Sequence, residues 1–174
     1  VEFEKLIESK GITFSGTETA NELIHEAVAL RNSLMTEIQW SDLSLMLFDF
    51  YAKKPHIKNQ KDQLELETIF ETWKSKINEK ENLSFFGKLY KREAHFFYSF
   101  LCQDYKKNID YSYEIVKLFE NEPEFILKEK ERYVIGLSQF LNSLQLSYNQ
   151  KTFKKYFKEL EQFVKENEHT FREG

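Results

Sequence analysis

Four histidines and a single cysteine are the residues best suited to metal or nucleophilic chemistry in this chain. Their spacing argues against both. His25, His56, His95 and His169 stand far apart, and none has a His or Cys partner at metal-ligand spacing. His25-Glu26 lacks a second histidine four residues on, which two imidazoles sharing one helix face would require. Cys102 and His95 share a face of one predicted helix. Two helical turns hold them about 10 Å apart, whereas a nucleophile and its base must meet at roughly 3 Å. The carboxylate pairs Glu65/Glu67 and Glu79/Glu81 are two residues apart and so point to different sides, as solvated charges do. Five scattered glycines build no phosphate loop, and no Gly-x-Ser-x-Gly elbow occurs. The chain is therefore expected to be non-catalytic, with no metal and no cofactor.

Binding chemistry is better represented. Lys88, Arg92, His95 and Ser99 form a polar stripe on one predicted helix, and Gln139 and Asn142 are matching positions on a later one. Side-chain amides can pair with a peptide backbone, so these six residues are the candidate lining of a peptide groove. Nucleic acid is not an expected partner. Net charge is −4, the pI is about 5.7, and basic residues are interleaved with carboxylates, unlike the concentrated footprint that a phosphate backbone needs. Lys151, Lys154, Lys155 and Lys158 read as the wet face of a helix. No run approaches 18 consecutive apolar residues, so no membrane-spanning helix is expected. The single cysteine permits no internal disulfide, and the expected location is the cytoplasm. The chain opens on Val1, as an excised domain or a processed product would.

The elements that must carry these residues are helices. Two prolines among 174 residues cannot punctuate a many-stranded sheet, and alternation of period two is never sustained. Residues 1–17 read as a lead-in with Gly11 and Gly16 and a short helical turn at 2–9. Thr17 or Thr19 caps a first helix with Glu18 and Glu22 at its positive end. Ser41 is the expected cap of a second helix, apolar nearly all round from Leu43 to Tyr51, which Lys53-Lys54-Pro55-His56 stops. Further helices are predicted at about 60–78, 84–102, 106–120, 129–147 and 151–167. A polar run at 78–82 and a Glu/Lys-rich loop after Asn121-Glu122-Pro123 separate them, and a frayed tail covers 169–174.

The 28 aromatic residues (17 Phe, 9 Tyr, 2 Trp) suit a thin two-layer core. Apolar residues also recur at a spacing of 48. Phe85 falls on Tyr133, Leu89 on Leu137, Phe96 on Leu144, Tyr105 on Phe153, Ile109 on Phe157 and Val116 on Val164. Stacked helix pairs give such an echo, because one pair alone cannot bury its apolar faces.

The segment 83–165 resembles a degenerate pair of tetratricopeptide-type repeats. Gln103-Asp104-Tyr105-Lys106-Lys107 resembles the Gly-Asp-Tyr turn between the two helices of such a repeat, with Gln103 where glycine is usual. Pro123 resembles the proline that closes the second helix, and Thr152-Phe153-Lys154-Lys155 takes the turn's place in the next copy. The chain departs from the pattern in length, since the usual unit has about 34 residues. It also places Asn108 and Tyr156 where alanine is common. Gly87 and Gly136 are candidate close-contact points. The same run resembles aromatic, Lys/Asn-rich helical-repeat proteins of uncharacterised bacterial families.

The resemblance implies an all-α, right-handed solenoid of about seven antiparallel helices. Residues 18–168 would be one helical-repeat domain, with helix pairs at about 41–78, 84–120 and 129–167. It implies that Tyr105 and Phe153 are wedged between helices, and that the first helix of each unit faces the inner surface. The expected role is a non-catalytic scaffold that binds a protein or peptide, within a larger protein. The alternative is a peptide-sensing domain that controls an attached DNA-binding domain or kinase.

Overall fold

The computed structural model describes residues 20–78 and 82–171. The expected lead-in 1–17, with its turn at 2–9 and the caps Thr17 and Thr19, lies outside the described residues, as do 79–81 of the polar run and 172–174 of the tail. The described residues are all-helical, with no strand among them. The elements are α1 (Ala20–Lys53), α2 (Gln60–Lys74), α3 (Phe85–Leu101), α4 (Tyr105–Asn121), α5 (Glu124–Lys128), α6 (Lys130–Leu146), α7 (Gln150–Glu166) and α8 (Glu168–Phe171). The chain divides into two compact units, Val1–Met35 and Thr36–Gly174. In the first, Ile24, Val28 and Met35 of α1 are exposed. The rest of this section concerns the second unit.

The break expected at Ser41 does not form. A serine caps a helix only where the chain leaves helical geometry, and here packing carries the helix through. Trp40, Leu43, Leu47 and Phe50 lie on one buried stripe that spans the position, and no proline or glycine interrupts it. Pro55 acts as expected: α1 ends at Lys53. The loop expected after Pro123 holds the short helix α5, which seats Phe125 in a parallel stack on Phe85, with ring centroids 3.8 Å apart.

Two cores flank α3. On one side Ala94 and Leu101 join the α1 stripe and Leu66, Phe70 and Ile77. On the other, Phe85, Leu89 and Phe96 pack with α4, α6 and Tyr156 of α7. A helix buried on two sides needs apolar residues nearly all round, which accounts for the aromatic density of 85–101. Ring and ion pairs show how neighbours run. Climbing α3 through Lys88, Arg92 and His95, the partners descend α4 through Glu122, Glu114 and Tyr111. Between α1 and α3 the pairs ascend together: Glu37 with Ser84, Ser44 with Glu93, Phe48 with Phe97 and Tyr51 with Phe100.

The helix ends repeat at 45 residues, not 48. Lys130 follows Phe85 by that spacing, as Leu146 follows Leu101, Gln150 follows Tyr105 and Glu166 follows Asn121. The turns repeat with them. Gln103 and Tyr148 adopt left-handed backbone, φ 57° and 58°. Around each, two N–H groups return to the helix that is ending: Gln103 to Phe100 and Asp104 to Ser99, Tyr148 to Gln145 and Asn149 to Leu144. This is the Schellman closure. The next residue then caps the following helix: Asp104 accepts from Lys107 N–H and Asn149 from Thr152 N–H. The structural counterpart of Gln103-Asp104 is therefore Tyr148-Asn149, and Thr152-Phe153 lies one turn inside α7. The apolar echo at 48 persists because three residues are nearly one helical turn.

Tyr105 is not an interhelical wedge; it is 45% exposed. As the first residue of α4 it stands at the rim, and the interior position one turn on is taken by Asn108, 1% exposed. Tyr105→Ala is accordingly expected to cost under about 1 kcal/mol in urea unfolding, the range of surface changes. Gly136 is a close approach between α4 and α6, where an added Cβ would lie 2.9 Å from Ile115 Cγ2. Ile115 is buried and cannot retreat. Gly136→Ala is expected to destabilise by about 1–2 kcal/mol, overpacking outweighing the gain in helix propensity.

Candidate functional site

A cleft of about 410 Å³ opens where α1, α3 and α6 meet. Its aromatic wall comes from Phe48 and Tyr51 of α1 and Phe96, Phe97 and Phe100 of α3. Edge-to-face contacts fix these rings. Phe48 and Phe97 are 5.6 Å apart, Tyr51 and Phe100 5.4 Å, and Phe96 and Phe97 5.3 Å. The opposite wall is α6, with Gln139, Asn142, Gln145 and Leu146 above Ser143. No lining residue is charged. Phe48, half exposed at 51%, marks the mouth.

Two lining residues, Phe96 and Ser143, are bonded to a buried polar network. Asn108 donates from Nδ2 to the Phe96 carbonyl (3.1 Å) and to Ser99 Oγ (3.4 Å). Its Oδ1 accepts from Ser143 Oγ at 2.6 Å. Ser112 Oγ donates to the Asn108 carbonyl at 2.8 Å. Asn108 thus ties α3, α4 and α6 together directly beneath Phe96 and Ser143.

The six residues expected to line one groove are divided among three places. Gln139 and Asn142 line the aromatic cleft, although Gln139 Oε1 itself is buried without a hydrogen-bond partner. Lys88, Arg92 and His95 line a separate polar cleft between α3 and α4. Ser99 lines neither. It is 3% exposed, because the same face of α3 that meets α4 carries it onto Asn108. The aromatic wall was read from the sequence as core filling. Only the parallel run of α1 beside α3 turns Phe48 and Tyr51 toward Phe97 and Phe100.

In the second cleft, Arg92 Nη1 donates to the Lys88 carbonyl at 3.0 Å. Its Nε stands 3.4 Å from Glu114 Oε2, near enough for an ion pair but without hydrogen-bond alignment. His95 stacks on Tyr111 at 4.9 Å and meets Trp40 and Phe70 at 5.5 Å. Among the described residues no group of three His, Cys, Asp or Glu could hold a metal ion, and no helix is long and apolar enough to cross a membrane. Burial pushes the Cys102 thiol up, away from thiolate. Comparison with family models, with curated proteins and with solved structures finds no match to this chain.

Glu93 of α3 meets Ser44 of α1 and Arg132 of α6. Its side chain is 19% exposed, accepts from Ser44 Oγ at 3.4 Å and stands 4.0 Å from Arg132. Burial pushes its carboxyl above the ordinary range, with Arg132 and Ser44 opposing in part. A folded-state pKa above the unfolded value means that the folded protein holds this proton longer. Its burial cost is absent below the ordinary carboxylate range and present once pH exceeds the folded pKa. Glu93→Gln is expected to raise the thermal midpoint at pH 7, with the gain shrinking toward pH 4. Asn108→Ala removes the buried amide that joins α3, α4 and α6, while Ser99 and Ser143 keep their bonds to the Phe96 and Gln139 carbonyls; the lost hydrogen bonds are expected to cost about 1–3 kcal/mol at any pH. Urea unfolding of both variants across that range separates the two effects.

Proposed function

We propose that this chain is a helical-repeat domain of antiparallel helix pairs whose stacked first helices present a binding cleft for an extended peptide. The observation that carries the reading is the cleft itself. One wall offers aromatic rings, the other a row of amides from Gln139 to Gln145. That pairing suits a peptide with a large apolar side chain between the rings and its backbone against the amides. The volume lies within the roughly 300–1,000 Å³ of ordinary ligand pockets. The opposed pairings of α3 with α4 and of α6 with α7, and the turns recurring at 45 residues, support the repeat arrangement. Right-handed stacking is the hand that a tetratricopeptide-like array would have. A non-catalytic scaffold in the cytoplasm is the role proposed for it. The raised Cys102 thiol pKa and the neutral cleft lining favour binding over catalysis.

The lining also sets what the peptide should be. With no charge to pair it, a charged side chain would lose its hydration there without compensation. Peptides with Phe, Tyr or Leu at an uncharged centre are expected to bind. Nitrogen-15 shift mapping should then place the perturbed amides at Phe97, Phe100, Gln139 and Asn142. Phe97→Ala is expected to weaken binding about tenfold or more, the range for a buried aromatic anchor. Perturbations confined to other faces, or affinity unchanged in Phe97→Ala, would refute the reading.

A further inference from the structure

The polar cleft of about 490 Å³ between α3 and α4 has the opposite chemistry. Among the described residues, Lys88, Lys91 and Arg92 line it with one carboxylate, Glu114, in a chain whose net charge is −4. We propose that this cleft binds the phosphate group of a phosphate monoester, independently of the aromatic cleft.

Two of its cations are held in place before any ligand arrives. Lys91 Nζ sits 5.3 Å from the ring centre of Trp40, which is wholly buried, and among the described residues no ion pair engages it. The ring steadies the ammonium but leaves its three N–H donors for an oxyanion. Arg92 is anchored at both ends of its guanidinium by the Lys88 carbonyl and by Glu114. It is 27% exposed, so its charge is only partly screened. Lys88 meets Glu122, outside the lining, at 3.4 Å. That is longer than the 2.7–2.9 Å of a strong charge-assisted bond, roughly, and leaves the ammonium with donors to spare.

Tyr111 adds a hydroxyl. Burial pushes its pKa up, so the proton is retained for donation. The stacked rings of Tyr111 and His95 form an aromatic shoulder beside the cations. With Glu122 beside Lys88 and Glu114 beside Arg92, the three cations keep a net positive charge centred on Lys91 and several N–H donors, which suits the many acceptor oxygens and the charge of about −1.5 to −2 of a monoester at neutral pH better than a single carboxylate. The shoulder gives the organic part a surface, which inorganic phosphate would not use.

Calorimetric titration of the whole chain at low salt, with phenyl phosphate, inorganic phosphate and benzoate, tests this. Phenyl phosphate is expected to bind saturably and about tenfold more tightly than benzoate. It should weaken as salt rises and perturb amides around Lys91, Arg92 and Tyr111. Inorganic phosphate should bind at the same residues more weakly; equal affinity would overturn the monoester assignment in favour of the free ion. Lys91→Met and Arg92→Gln are each expected to lose about tenfold or more, with helicity and thermal midpoint checked by circular dichroism. Phe97→Ala, in the other cleft, should leave phosphate binding unchanged. Benzoate as tight as phenyl phosphate, no saturable binding, or full affinity in folded Lys91→Met and Arg92→Gln would each overturn the proposal.

Discussion

The amide of Asn108 is the constraint on which the rest of the second unit depends. An amide in the interior is tolerated only when its donors and acceptor are met, and here α3 and α6 must stand in one register to meet them. The Phe96 carbonyl and Ser99 take its donors, and Ser143 supplies its acceptor's partner. Sliding α6 by one turn against α4 would carry Ser143 away and strand Asn108. Apolar packing alone would not forbid that slide, since leucine and phenylalanine recur around α6. A buried amide of this kind selects among arrangements that hydrophobic burial scarcely distinguishes.

The same logic sets the junction of α1 and α3. Ser84 donates both its N–H and its Oγ–H to Glu37, at 3.0 and 2.8 Å. Glu37 thereby holds the start of α3 from a neighbouring helix. The approach is possible because residue 87 is glycine: a Cβ there would fall 2.6 Å from Glu37 Cγ. With α3 positioned by Asn108 on one side and Glu37 on the other, Phe97 and Phe100 meet the rings of α1 in the space that α6 borders. The aromatic cleft is the consequence of two polar locks, and its neutral lining contrasts with the cationic cleft on the α4 side.

Much of this was legible in the chain. The helical content, the stop at Pro55 and the buried faces of α3 and α6 follow from local sequence, because burial of a stripe at 3.6 residues is a local property of the chain. Gly87 and Gly136 are both close-approach points, as their residue type suggested. The continuity of α1 through Ser41 was not legible, since a serine reads as a cap until the buried stripe beneath it is known. The spacing at which the helix ends recur was not legible for the same reason: apolar periodicity cannot distinguish 45 from 48, whereas the left-handed residues Gln103 and Tyr148 can. Neither is glycine, so residue type does not mark Tyr148, and Gln103 is marked only by its place before Asp104-Tyr105.

The candidate site divided more sharply. Lys88, Arg92 and His95 on one face, and Gln139 and Asn142 on another, were identifiable by spacing. Ser99 belonged to the same arithmetic and proved to be core, because Asn108 reaches it across the helix pair. By itself the sequence determined the helices, their apolar faces and the neutrality or charge of each short stretch. Which faces meet was decided only by tertiary structure. Helix formation depends on neighbours within four residues, but a cleft needs side chains such as Phe48 and Phe97 brought together from elements far apart in the chain. Their encounter is set by polar contacts and close backbone approaches that leave no periodic trace.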